Sequence, residues 1–246
     1  MSADAESLPG KPGERAGLVL GVILLYLLGY FALGLTTDPA RARELATPLD
    51  AWFPFVPETI FLYASVFAAS SLPAFVIRCP RLFRRVALVY TAMIAISLAC
   101  FGAFPVTSLE LRADLDALDP PGFTGWGMRL LYHLDPPFNL FPSLHLSVAM
   151  VAALSTWTAR RSWGVVALVW VAGVTISVLT VKQHFVLDAL AGTALGAVFF
   201  ALWIRPYRPE PGTEISYSWR GPLAFGLGLA GLVAGFYALY RSGLTL

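Results

Sequence analysis

The chain has 246 residues, of which 57% are hydrophobic and only 13% charged, with a formal net charge of +2. A soluble globular domain carries roughly a quarter charged residues, so this composition describes an integral membrane protein instead. The arginines are scattered between apolar runs and form no basic stripe, which speaks against a nucleic-acid partner.

In chain order, residues 1–15 mix Gly, Pro, Ser and charge and read as a disordered cytoplasmic tail. Seven apolar runs follow, approximately 16–35, 60–77, 86–104, 144–159, 163–181, 187–204 and 223–240. Each approaches the ~20 residues that a helix needs to cross the hydrocarbon core, and none shows the period-2 alternation of a barrel strand. The expected fold is all-α, a polytopic membrane bundle of six core transmembrane helices (16–204) with a seventh at the C-terminus (about 221–241), all in one domain over 16–246. The first run exceeds the h-region of a signal peptide, so it is expected to stay as an uncleaved helix.

Between the runs, Arg78, Arg81, Arg84 and Arg85 stand in a stretch without acids, which marks that end as cytoplasmic. Alternation from there places the N-terminus inside, with eleven of the 17 lysines and arginines. A bacterial inner membrane fits this pattern. The segment 36–59, with Asp50-Ala51-Trp52-Phe53-Pro54, is expected to lie along the membrane interface. The loop 105–141 is too long for a plain connection in a bundle and is read as functional.

Two polar signatures end apolar runs on the same expected outer face. Pro142-Ser143-Leu144-His145 begins the fourth span. Proline suits a first helical position, and the free N–H groups of the first turn favour an anion such as phosphate. His145 then stands near enough to exchange a proton with a leaving group. A plain helix cap with a snorkelling histidine is the structural alternative. Lys182-Gln183-His184-Phe185-Val186-Leu187-Asp188 begins the sixth span, and places His184 and Asp188 four apart on one face if the helix starts by His184. Asp188 would then fix the tautomer of His184 and raise the nucleophilicity of its other nitrogen. Two histidines and an aspartate also match a metal triad on paper, but Ser143, Lys182 and a helix N-terminus suit an anion better.

At these residues the chain resembles the type-2 phosphatidic acid phosphatase superfamily, whose motifs are K-x6-R-P, P-S-x-H and S-R-x5-H-x3-D. Residues 142–145 fit the second motif fully. Ser177, His184 and Asp188 fit the third, with Val178 at its arginine position, and Arg112 is the best remnant of the first. The P-S-L-H and Q-H-x3-D forms look more like the inositol phosphorylceramide synthase and sphingomyelin synthase branch than the soluble acid phosphatases. The resemblance implies a lipid phosphatase or phosphotransferase acting at the outer face without cofactor or metal. Its substrate would be a membrane lipid phosphate or phosphodiester, with water, a lipid or a polyol as acceptor. His184 would form a phosphohistidine, Asp188 orient it, and His145 protonate the leaving oxygen. Ser143, Lys182 and Arg112 would hold the phosphate, because charge stabilisation is the main burden of phosphoryl transfer. Asp135 and Asn139 are read as loop-shaping residues outside the site. A proton-coupled transporter and a catalytically dead scaffold remain the readings of another class.

Overall fold

The computed structural model describes residues 13–118, 122–217 and 219–243, so most of the expected tail, residues 1–12, lies outside the described residues. The tail's end is not disordered. Helix α1 (Glu14–Thr36) already includes Glu14, which pairs with Arg84, and Arg15, which donates to the carbonyls of Ala74, Ile77 and Arg78. The guanidinium of Arg15 also stacks on Phe83 and Tyr217.

Ten α-helices follow one another among the described residues, with no strand between them beyond isolated bridges such as Val106 to Asn139. Five are long and apolar enough to cross a membrane: α1, α4 (Pro80–Ala103), α8 (Arg161–Thr180), α9 (Val186–Phe199, extended to Ile204 by a π turn) and α10 (Arg220–Arg241). Two shorter apolar helices, α2 (Ile60–Ala69) and α7 (Leu144–Ala159), complete the seven runs. An all-α membrane bundle is therefore the architecture.

The second run departs from the expected continuous span over 60–77. It breaks at Ser70-Ser71 and resumes as α3 (Leu72–Val76). The two serine hydroxyls donate back to the carbonyls of Phe67 and Ala68, and Pro73 has no N–H to continue the ladder. Tyr90 on α4 donates to the carbonyl of Ser70 at 2.9 Å. A neighbouring helix thus satisfies a group that lipid could not.

The loop 105–141 is not a bare connection either. It carries α5 (Leu115–Leu118) and the amphipathic α6 (Gly122–Leu134), which buries Gly125, Met128 and Leu131. Its aromatic residue Phe123 meets Tyr237 and Tyr240 of α10.

At the centre, α7 packs against both α8 and α9. On α9, Gly192 and Gly196 are spaced four apart, and a Cβ on either would stand 2.2 Å from the Ser143 carbonyl oxygen or 2.5 Å from that of Ser147. Only glycine permits this approach, the familiar use of small residues at four-residue spacing between membrane helices. Their closeness brings the start of α7 to the start of α9.

Candidate active site

The first turn of α7 is built by its own cap. Ser143 sits at N-cap with φ −58° and ψ 108°, and its Oγ accepts from the Leu146 N–H. Its own N–H donates to the Asp188 carbonyl at 3.0 Å, which ties the turn to α9.

His184 is not on a helix. The α8 to α9 turn passes through Lys182 at φ 59°, both Gln183 and His184 donate to the carbonyl of Val178, and α9 starts only at Val186. The expected helix-face pairing of His184 with Asp188 is thereby corrected. The two residues meet because the turn folds His184 back over the first turn of α9, and Nδ1 lies 3.3 Å from Asp188 Oδ1, within ion-pair range although not in line for a hydrogen bond. The cap of α9 comes from far away in sequence. Asp50 Oδ1 accepts from the Val186 N–H at 2.7 Å, while its other oxygen accepts from Thr47 N and Oγ1. Segment 47–59 further clasps the turn through Val56 N to the Thr180 carbonyl and Thr59 to Thr180.

These constraints converge on one atom. His184 Nε2 lies 3.2 Å from His145 Nδ1 and 3.3 Å from Ser143 Oγ. Four of the six expected site residues, Ser143, His145, His184 and Asp188, are thus gathered at one end of the bundle, and all four are buried, with His184 only 4% exposed.

The two cations are engaged elsewhere. Lys182 donates through Nζ to the Phe53 carbonyl, and partial burial lowers its pKa, an effect Asp50 opposes. Arg112 spreads its fork over the carbonyls of Tyr132 (2.9 Å) and Asp135 (2.6 Å) and over Gln183 Oε1 (3.0 Å), with Tyr132 also beneath its plane. Burial lowers its pKa as well, offset mainly by Asp135. The Arg112 Nε proton is buried without a protein acceptor.

Asp135, read as loop-shaping, instead adjoins the histidines. Tyr30 and Tyr63 donate to its two carboxylate oxygens at 2.5 Å each, and the Tyr63 oxygen lies 3.3 Å from His145 Nε2. Gln183 also reaches it, at 3.4 Å. Asn139 keeps a structural part, donating to the Tyr30 carbonyl. The sequence carried no signal for Asp135, because its partners lie 105 and 72 positions away.

Two apolar cavities reach these groups. One, of about 320 Å³, runs between α1, α3, α4 and α7 and ends on His145. The other, of about 450 Å³, lies among α1, α2, α6 and α10 and ends on Asp135 and Tyr63. Tyr26, Leu27 and Phe67 border both. An apolar chain with a polar head at His145 is the ligand shape that such lining accepts.

No curated protein and no solved structure matches the chain. A family model described as "PAP2 superfamily" does match, over residues 46–202, a stretch that begins just before Asp50 and contains every atom described around His184. The chain belongs to that superfamily, the type-2 phosphatidic acid phosphatases, and is a membrane protein of the lipid phosphatase and phosphotransferase type.

Proposed function

We propose that this protein transfers the phosphoryl group of a lipid phosphate or lipid phosphodiester head group by way of a phosphohistidine on His184, without a metal. One observation carries the reading. His184 Nε2 faces Ser143 Oγ and His145 Nδ1, whereas its Nδ1 lies against Asp188.

The Asp188 carboxylate, 3.3 Å from Nδ1, favours the proton on that nitrogen by its charge and leaves the Nε2 lone pair to attack phosphorus. As the N–P bond forms, the P–O bond to the leaving group breaks, and His145 supplies a proton to that oxygen. In the second half, His145 takes a proton from water or an acceptor hydroxyl that attacks the same phosphorus, and the P–N bond breaks. Ser143 and the free N–H groups of the α7 first turn hold the non-bridging oxygens. Of the two candidate cations, Arg112 is the better placed. Its Nε has no protein acceptor and its fork joins Gln183, the neighbour of His184, whereas Lys182 is held by Phe53.

Water as acceptor makes the reaction a hydrolysis, and a hydroxyl makes it a head-group transfer of the inositol phosphorylceramide synthase kind. The family's arginine position holds Val178, a loss of local charge that favours a diester over a more highly charged monoester. The arginines of the 78–85 segment at the other end of the spans support an extracytoplasmic site and a cytoplasmic N-terminus.

The test is turnover by purified protein in detergent and chelator, over a panel of lipid phosphates and phosphodiesters with and without a polyol or ceramide acceptor. Activity is expected to persist in chelator and to fall by on the order of 10⁴-fold in His184→Ala. Loss on chelation would overturn the metal-free mechanism. Silence across the panel would favour the transporter or the scaffold.

A further inference from the structure

The two histidines are each backed by a carboxylate, but by different routes. Asp188 touches His184 directly, whereas Asp135 reaches His145 through the Tyr63 hydroxyl. The hydrogen-bond inventory fixes what that hydroxyl can do. A tyrosine carries one O–H proton, and at 2.5 Å it is committed to Asp135 Oδ2. The Tyr63 oxygen can then only accept from the 3.3 Å neighbour, His145 Nε2. The proton of a neutral His145 therefore sits on Nε2, and Nδ1, the nitrogen facing His184, is left free to gain and give a proton.

We propose that Asp135 and Tyr63 are positioning residues that hold His145 in this tautomer and stabilise its imidazolium, a role resting on the phosphohistidine reading. In the first half-reaction the Nδ1 proton of the imidazolium passes to the leaving oxygen as the P–O bond breaks, while the Nε2 proton stays on its bond to Tyr63. In the second half Nδ1 recovers a proton from the attacking hydroxyl. Tyr63 and Asp135 exchange no proton in either half. The surroundings hold the carboxylate still: Tyr30 occupies its other oxygen, Gln183 approaches Oδ2, and Arg112 bonds the Asp135 carbonyl. Tyr30 provides an internal control, because it bonds the same carboxylate and only packs edge-on to the His145 ring, with centroids 6.4 Å apart.

The experiment compares Tyr63→Phe, Asp135→Asn and Tyr30→Phe on two substrates with the same lipid chain, one losing an alkoxide and one an aryloxide that needs little protonation. Tyr63→Phe and Asp135→Asn are expected to slow the alkyl substrate by about 10²-fold and the aryl substrate by less than about fivefold. Tyr30→Phe should slow both alike. Equal losses on the two substrates in Tyr63→Phe and Asp135→Asn would make these residues purely structural and overturn the proposal. A second readout needs no turnover. The chain has three histidines, so ¹⁵N spectra of histidine-labelled protein are simple to assign by single substitutions. The Nε2–H form of His145 is expected in the parent protein and a tautomer mixture in Tyr63→Phe; an unchanged tautomer in that variant also overturns the proposal. Full activity in His184→Ala would sink the phosphohistidine reading alone, leaving the tautomer to the spectra.

Discussion

Helices α9 and α10 are both apolar, both rich in glycine and both long enough to span a membrane, yet the molecule uses them in opposite ways. On α9, Gly192 and Gly196 press against the carbonyls of Ser143 and Ser147. On α10, Gly221 in the first turn presses on the Phe75 carbonyl, but beyond it the positions where a Cβ would stand on Gly226, Gly228, Gly231 and Gly235 have no neighbour within 4 Å, and every residue from Leu223 to Arg241 is at least partly exposed. Glycine content alone does not identify a packing face. What distinguishes α9 is that its glycines meet the stretch of backbone that carries Ser143 and His145, two residues of the proposed site, so helix packing and site geometry are one constraint there.

Substitutions along the two helices should separate their roles. The largest effect is expected from Gly192→Leu, whose side chain must displace the Ser143 backbone; stability should fall by about 3 kcal/mol or more and turnover should vanish with it. Thermal unfolding in detergent read beside activity checks this, and an unmoved midpoint would show that α9 does not depend on that close approach. Next comes Asp50→Ala, which strips α9 of its remote cap and should cost about 1 kcal/mol, together with a several-fold loss of turnover as His184 loosens. Gly231→Ala on α10 should do least, leaving stability unchanged or raised by up to about 1 kcal/mol, with turnover intact. A marked loss there would show that α10 packs as closely as α9.

The spans were legible because hydropathy over some twenty residues is a strong signal, and the run 144–159 coincides with α7 residue for residue. Finer features depended on contacts that sequence distance hides. The break at Ser70-Ser71 was foreshadowed by two serines and Pro73, but it requires Tyr90 from another helix to cap the freed carbonyl. Helix α6 escaped notice because its apolar positions, Phe123, Trp126, Met128, Leu130 and Leu131, are mixed with glycines in a run too short to span. In the site, the closeness of the histidines and Asp188 was anticipated from spacing, although it arises from a folded-back turn rather than a shared helix face. Asp50 caps α9 from 136 positions away, and Asp135 joins the histidines through tyrosines of two separate helices. Nothing in the local sequence of either aspartate distinguishes it from an ordinary loop residue.

On the proposed mechanism, the burial of His184 bears on the lifetime of the intermediate. A phosphohistidine on a side chain 4% exposed would be removed from bulk water, so its decay would be governed by which hydroxyl is admitted rather than by which is most abundant. Hydrolysis and transfer then become competing exits from one intermediate, and their ratio reports admission. A change in the cavity wall away from the reacting nitrogens, at Tyr26 or Leu27, can therefore alter the product without altering the rate at which the intermediate is made.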